Sequence, residues 1–255
     1  MTDTPRERTP AASGRLRPTA RFWWVVFVAI LAVLGMIWGW MSQRPPEAYT
    51  PAPPAVSQEP TPTPTPAIPE IARQEVWTSD TQASGEYLTN TITLEPGLEA
   101  PEVVDYVLQV EDTTELDADE VAREVQAVFD DERGWAGYGR RTFRLVADTE
   151  SADLTIYITS PDTSDELCKP LDTGGKWNCR VEGRVVLNSD RWKYMTPTYD
   201  DLGTYRSYLV NHEVGHFLGQ GHVGCPAEGA VAPVMMQQSI ALDGCVPNAW
   251  PRDAD

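Results

Sequence analysis

A run of twenty uncharged residues, FWWVVFVAILAVLGMIWGWM, occupies positions 22–41. A helix of this length spans about 30 Å, the thickness of the hydrocarbon core of a bilayer. Tryptophans lie near both ends, where they suit the two membrane interfaces. The run is longer than the apolar part of a typical signal peptide, and no A-x-A cleavage pattern follows it. We therefore predict a transmembrane helix at residues 22–41 rather than a cleaved signal peptide or a buried core helix.

Two glycines within this run, Gly35 and Gly39, have the G-x-x-x-G spacing that lets membrane helices approach closely. The spacing predicts a weak homodimer through Gly35 and Gly39. The alternative is that these are ordinary glycines, which are common in membrane helices.

Charge differs sharply between the two sides of the run. Residues 1–44 contain six Arg and two acidic residues, whereas the remainder contains 14 basic and 36 acidic residues. Positively charged flanks stay in the cytoplasm, so we predict a cytoplasmic tail at residues 1–21 and a single-pass cell-membrane protein with its C-terminal domain outside. A domain this acidic lacks the positive surface that binds phosphate backbones, which argues against a nucleic-acid partner.

Proline dominates residues 42–69, between the run and the remainder of the chain. Proline at this density prevents a packed element and favours polyproline II. We predict a semi-rigid linker that holds a folded domain, residues 70–255, away from the membrane. A Pro-rich ligand for a recognition domain is the less favoured alternative, because the predicted topology places this stretch outside the cell.

All four cysteines lie in the predicted outer domain: Cys168, Cys179, Cys225 and Cys245. An even number in an extracytoplasmic domain indicates two disulfides. Of the three connectivities, we favour Cys168 with Cys179 and Cys225 with Cys245, because each pair closes a short loop. A zinc site of four cysteines is the alternative, but neither pair has C-x2–4-C spacing.

The periodicity of the outer domain predicts an α+β fold with a mixed sheet. We expect strands at residues 103–110, 142–146, 154–158 and 184–187, and helices at residues 116–131 and 204–218. Asp117, with Glu120 three residues later, predicts the N-cap of the first helix. Little regular structure is expected after Gly219, because prolines interrupt the chain repeatedly.

All three histidines of the chain lie within eleven residues, at His212, His216 and His222. The first two are four residues apart, so on a helix their imidazoles point to the same side. Glu213 lies off that line but close enough to hold a water molecule on a metal ion. His222 can join only if the chain leaves the helix, and Gly219 suits that turn because glycine accepts a positive φ. We predict a Zn²⁺ site with three histidine ligands and an open fourth position.

Several other interpretations of these residues remain open. The histidines could be surface or core residues without a ligand, the metal site could be structural, or the protein could be a pseudoenzyme that retains the ligands. A structural zinc site usually has four protein ligands and has no use for Glu213, so a catalytic site is favoured.

The segment HEVGHFLGQGH at residues 212–222 resembles the zinc signature H-E-x-x-H-x-x-G-x-x-H of the metzincin clan of metallopeptidases. That clan has a methionine-containing turn below the metal, and PVMMQQ at residues 233–238 is similar to it. The resemblance implies Met235 as the turn residue, with Met236 as the alternative. Some members carry a tyrosine ligand two residues after this methionine, where the chain has Gln237 or Gln238, so a tyrosine ligand is not implied.

Two strands extend the resemblance. ADLTI at residues 152–156 resembles a sheet strand of matrixin-like members, and GRVVLN at residues 183–188 is similar to the edge strand that pairs with an extended substrate. With CP at 225–226 and GCVPN at 244–248, residues 85–250 look like a family of single-pass actinobacterial proteins with a metzincin-like outer domain.

The resemblance implies a metzincin-like domain with a mixed twisted sheet and an active-site helix. It also implies a membrane-anchored, extracytoplasmic zinc endopeptidase that acts on protein or peptide substrates, with Glu213 as the general base. The alternatives are a non-catalytic surface binding module with a zinc-stabilised fold, and a zinc hydrolase of cell-wall peptide cross-links.

Overall fold

A computed structural model describes residues 20–42 and 68–254. The chain divides into two compact units, Met1–Thr63 and Pro64–Asp255. Nearly all of the predicted cytoplasmic tail and of the Pro-rich linker lies outside the described residues.

The described part of the first unit is one helix, α1 (Ala20–Ser42). The stretch Trp23–Ser42 is long and apolar enough to cross a membrane. The large apolar side chains that the structure describes in this helix, from Trp23 to Met41, are exposed, as a lipid-facing surface requires. The location in a membrane, the sidedness and the dimer through Gly35 and Gly39 stay predictions.

The second unit is an α+β domain with a mixed sheet, as the sequence predicts. The strands are β1 (Tyr87–Thr89), β2 (Glu102–Glu111), β3 (Arg141–Leu145), β4 (Leu154–Thr159), β5 (Cys179–Val181) and β6 (Arg184–Asn188). The helices are α2 (Ala118–Phe129), α3 (Pro161–Leu167), α4 (Ser189–Tyr194) and α5 (Leu202–Phe217), with short 3₁₀ turns at Glu70–Arg73, Asp112–Thr114, Trp135–Tyr138 and Pro251–Ala254.

The strands are arranged in the order β1-β2-β4-β6-β5, with β3 also paired to β2. The β2–β3, β2–β4 and β4–β6 pairs are parallel, whereas β1–β2 and β5–β6 are antiparallel. Helices α2 and α5 share one hydrophobic core with the sheet, to which Val125 of α2, Ile156 of β4 and Val210 of α5 all belong. This core fixes the position of α5 relative to the sheet.

The strands and helices expected from the sequence are present, and Asp117 caps α2 by accepting a hydrogen bond from the Glu120 backbone N–H (2.8 Å). One expectation is wrong: residues 184–188 form β6, which lies inside the sheet, and the edge strand at this end of the sheet is β5. The physical reason is a two-residue turn at Glu182 and Gly183, which folds β5 back onto β6. Glu182 has a φ of +53° in this turn.

Both predicted disulfides are confirmed, Cys168–Cys179 and Cys225–Cys245. The first joins the C-terminal end of α3 to β5, and the second joins two segments of the irregular chain that follows α5. These pairings exclude the alternative zinc site of four cysteines, because no cysteine of the described residues is free.

The buried carboxylate of Glu111, at the end of β2, connects three parts of the domain. It accepts hydrogen bonds from the backbone N–H groups of Ser84 (2.7 Å), Gly85 (2.9 Å) and Ser160 (2.7 Å), and from Thr163 Oγ1 (2.7 Å). Burial would raise the pKa of Glu111, but the hydrogen bonds from Gly85, Thr163, Ser160 and Ser84 outweigh it and hold the pKa below its usual value. The ionised form therefore stabilises the fold.

We expect Glu111→Gln to lower the free energy of unfolding of the C-terminal unit by about 2–4 kcal/mol at pH 7. The four groups around this side chain all donate hydrogen bonds, and an amide has only one oxygen to accept them, while its NH₂ group faces other donors. The folded-state pKa is depressed, so the contribution of Glu111 is complete above its unfolded pKa of about 4.3 and is lost as the pH falls through the folded pKa. Urea unfolding of both proteins between pH 7 and pH 3 measures this. Glu86→Gln, at an exposed carboxylate, is the control, and equal unfolding midpoints for Glu111→Gln and wild type at pH 7 would contradict the assignment.

Candidate metal centre

Helix α5 carries the first two histidines on its last two turns. The helix begins after Asp201, whose carboxylate accepts a hydrogen bond from the Thr204 backbone N–H (2.7 Å), and it ends at Phe217. His212 is buried, whereas His216 is half-buried. The four-residue spacing brings their ring centroids within 4.8 Å of each other.

The chain leaves the helix at Gly219, which has a φ of +89°. The Gln220 backbone N–H then donates to the Gly215 carbonyl oxygen (2.9 Å), which completes the C-cap of α5 with Gly219 in the left-handed conformation. This turn brings His222 back, so that its Nε2 lies 3.0 Å from His216 Nε2 and 3.3 Å from His212 Nε2. The predicted turn and the predicted convergence of the three side chains are both present.

The separations of 3.0 Å and 3.3 Å from His222 Nε2 are close to those of two ligand atoms on one shared divalent cation. With metal–nitrogen bonds of about 2.0–2.1 Å, two nitrogens on a tetrahedral ion lie about 3.3 Å apart. Lone pairs that face each other at this distance repel unless a cation or a proton lies between them. The three histidines can therefore hold a metal ion, and imidazole ligands suit zinc, copper, nickel or iron.

Backbone carbonyl groups orient two of the three rings. His212 Nδ1 lies 2.8 Å from the Val234 oxygen, and His216 Nδ1 lies 2.9 Å from the Gln220 oxygen. A carbonyl oxygen can only accept, so each Nδ1 carries the proton and each Nε2 directs its lone pair at the shared centre. Burial lowers the pKa of His212 to about 3, which keeps the ring neutral and able to bind a metal at neutral pH.

The histidines lie in the wall of an open cleft of about 530 Å³. Glu213 lies in the same wall and is buried, and burial raises the pKa of its carboxyl group to about 8. A divalent cation at the histidines would favour the carboxylate form and oppose that rise. The rest of the wall comes from the loop before β5, from β5, from α5 and the turn after it, and from the segment after Met236. The lining residues from these elements include Cys179, Arg180, Tyr208, Leu209, Gln237, Ser239 and Ile240.

Met235 lies directly against α5, the helix that carries His212 and His216. A Cβ atom on Gly215 would lie 2.3 Å from Met235 Sδ and 2.9 Å from Trp135 Cζ2, so only glycine lets these side chains approach α5 so closely. Met236 instead packs with Ala232 and Cys245 in a separate cluster. The resemblance implies Met235 as the turn residue with Met236 as the alternative, and of the two it is the Met235 side chain that reaches Gly215.

We expect Gly215→Ala to destabilise the C-terminal unit by about 1–3 kcal/mol, because the added methyl group must displace Met235 and the rigid indole of Trp135. Metal affinity should fall as well, since Gly215 lies between two of the histidines. Thermal unfolding and zinc titration measure the two effects. Gly203→Ala is the control on the same helix, because its Cβ would make only an ordinary 3.5 Å contact with Asp201 Oδ1. Equal stability of the two variants would refute the packing argument.

Two tyrosines of α5, Tyr205 and Tyr208, hold one wall of the cleft. The sequence did not predict this role for them. Tyr208 Oη donates to the Met236 oxygen (3.0 Å) and accepts from the Gln238 backbone N–H (2.9 Å). Tyr205 Oη lies 2.8 Å from Ser239 Oγ. The three- and four-residue spacings from Tyr205 to Tyr208 and from Tyr208 to His212 place the three side chains on one helix face, and this pattern could have pointed to the tyrosines from the sequence. These bonds fasten residues 236–239 to the helix that carries the histidines.

Comparison with known proteins places the chain in a family. No curated protein and no solved structure matches it. The family described as "Protein of unknown function (DUF3152)" matches residues 78–251, which include the whole sheet, α5 and the three histidines. The match spans well over half of the sequence, and the chain therefore belongs to this family.

Proposed function

We propose that this protein is a zinc-dependent endopeptidase with a metzincin-like domain, anchored in the cell membrane by α1 and acting on peptides outside the cell. The observation that carries the proposal is the convergence of three histidine Nε2 atoms beside a buried glutamate in an open cleft. A purely structural site would have no need for the cleft or for the glutamate.

The residues at the centre fit zinc as the bound ion. His212, His216 and His222 would hold it, and the absence of a fourth ligand among the residues that the structure describes leaves a position for water. Zinc at this position would supply Lewis acidity, which polarises the substrate carbonyl and acidifies a water molecule.

Glu213 is the proposed general base and acid. Its carboxylate accepts a proton as the water oxygen attacks the carbonyl carbon, and it then donates that proton to the leaving nitrogen as the C–N bond breaks. The carboxyl group lies in the wall of the cleft and is largely shielded from bulk water, which suits a group that must transfer a proton twice.

Strand β5 supplies a binding edge for the substrate. It is an antiparallel edge strand of the sheet, and Cys179 and Arg180 line the same cleft as the histidines. An extended peptide can add to such an edge through main-chain hydrogen bonds. A sheet with an antiparallel edge strand above a histidine-bearing helix also supports the metzincin-like assignment.

Cleavage profiling tests this proposal. Full-length protein in detergent is loaded with zinc and incubated with a diverse peptide library, and the products are identified by mass spectrometry. We expect internal peptide bonds to be cleaved, with loss of activity on chelation. Cleavage of cell-wall cross-link fragments alone would show that the substrates are cell-wall cross-links and not proteins. No hydrolysis of either substrate by zinc-loaded protein would favour a non-catalytic binding module.

A further inference from the structure

The charges of the cleft differ from those of the domain as a whole. After residue 44 the chain has 36 acidic and 14 basic residues. Among the residues that line the cleft, Arg180 is the one arginine or lysine, and the acidic ones are Asp172 and Glu213. Asp172 accepts a hydrogen bond from the backbone N–H of Gly174 (3.1 Å), within its own loop.

Arg180 has no anionic partner in the part of the chain that the structure describes. Its Nε is buried without a hydrogen-bond partner, and no ion pair involves its guanidinium group. Four other arginines of the same domain do lie within 2.8 Å of a carboxylate: Arg133, Arg141, Arg144 and Arg206. In so acidic a domain, an arginine left unpaired in a cleft is available to a ligand.

The strand holds Arg180 on the side of the sheet that faces α5. Arg180 pairs with Val185 in the β5–β6 register, and Val185 belongs to the core that α5 shares with the sheet. Paired residues of antiparallel strands point to the same face. The neighbouring Cys179 points to the opposite face, where its disulfide with Cys168 secures β5. Arg180 is thus presented from a fixed strand to the face that carries the histidines.

We propose that Arg180 is a specificity-determining residue that binds a carboxylate of the peptide substrate beside the metal centre. A guanidinium group can donate two parallel N–H bonds to a carboxylate, which gives both charge and geometric selection. The carboxylate is either the side chain of Asp or Glu or the C-terminus of the peptide. This inference rests on the proposed peptidase function for its substrate class, and it adds a preference for acidic peptides.

The test compares the wild type with Arg180→Gln and the control Arg184→Gln, all as full-length zinc-loaded protein in detergent. Arg184 is a neighbouring arginine on β6 that does not line the cleft. Three versions of one cleaved peptide are used: an internal Glu with an amidated C-terminus, Gln at that position with the amide, and the same Gln peptide with a free C-terminus.

We expect the wild type to show a kcat/KM about 10–100-fold higher for one of the two carboxylate peptides than for the Gln amide. Arg180→Gln should remove this preference, so that its kcat/KM values for the three peptides become equal, while Arg184→Gln behaves as the wild type. Preference for the Glu peptide identifies a side-chain carboxylate, and preference for the free C-terminus identifies the terminal one. No carboxylate preference in the wild type, or a preference retained by Arg180→Gln, overturns the proposal.

A binding measurement separates this inference from the proposed function. Fluorescein-labelled versions of the three peptides are titrated with zinc-loaded Glu213→Ala protein, with and without Arg180→Gln. One outcome is that the wild type cleaves no peptide, yet the carboxylate peptides bind with a lower Kd than the Gln amide only when Arg180 is present. This result would support the role of Arg180 and refute the peptidase function. The opposite outcome is that the three peptides bind equally, or do not bind, and that the wild type cleaves peptides without a preference for a carboxylate. This result would refute the role of Arg180 and leave the peptidase function supported.

Discussion

His222→Ala should leave the protein folded and almost free of zinc, whereas the wild type should hold close to one zinc per chain. The site has three protein ligands, so the loss of one leaves two. We expect zinc affinity to fall by more than the roughly 10–100-fold that the loss of an outer hydrogen-bond partner costs. His222 is exposed, in the loop after Gly219, so its side chain contributes little to the core.

Metal analysis after equilibration in buffered zinc measures this prediction, with circular dichroism to confirm the fold. Val223→Ala is the matched control, because Val223 is the exposed neighbour in the same loop and has no ligand atom. Zinc should also raise the melting temperature of the wild type and of Val223→Ala, but not that of His222→Ala. Full zinc occupancy in His222→Ala would show that the three histidines do not form the site.

Glu213→Ala should abolish hydrolysis while zinc stays bound. The ligand atoms all belong to histidines, so removal of the carboxylate should leave the metal in place. The same carboxylate is proposed to serve both water attack and amine departure, so the loss should lie near the upper end of the roughly 10²–10⁴-fold that general acid–base groups contribute. No ligand variant can separate catalysis from metal binding in this way.

Glu213→Gln is the companion variant, because it fills the same space but cannot take up a proton at neutral pH. Both variants should show wild-type zinc content and at least about 100-fold lower kcat/KM. Wild-type rates in either variant would refute the assignment of the general base. Loss of zinc in both would instead indicate that the carboxylate helps to hold the metal.

The candidate metal centre could be predicted from sequence because its geometry is local. His212, His216 and His222 are separated by one helical spacing and one turn, and the positive φ of Gly219 determines how that turn closes. The pairing of the cysteines could be predicted for a similar reason, because each disulfide closes a short loop.

The walls of the cleft could not be predicted, because distant pairing decides them. Strand β5 has three residues, too few for a periodic pattern, and it becomes the edge strand only through the two-residue turn onto β6. The bond from Tyr208 to Met236 likewise joins segments that are far apart in the sequence. The choice between Met235 and Met236 depends on which side chain reaches Gly215, and adjacent residues of one type carry no sequence signal for that.

The rate of peptide hydrolysis, measured as zinc is added back to chelator-treated full-length protein, shows whether the three histidines hold a catalytic zinc ion. We expect a rate that is close to zero without metal and rises in proportion to bound zinc until one zinc is bound per chain. A rate independent of zinc, or no hydrolysis at full occupancy across the peptide library, would contradict it.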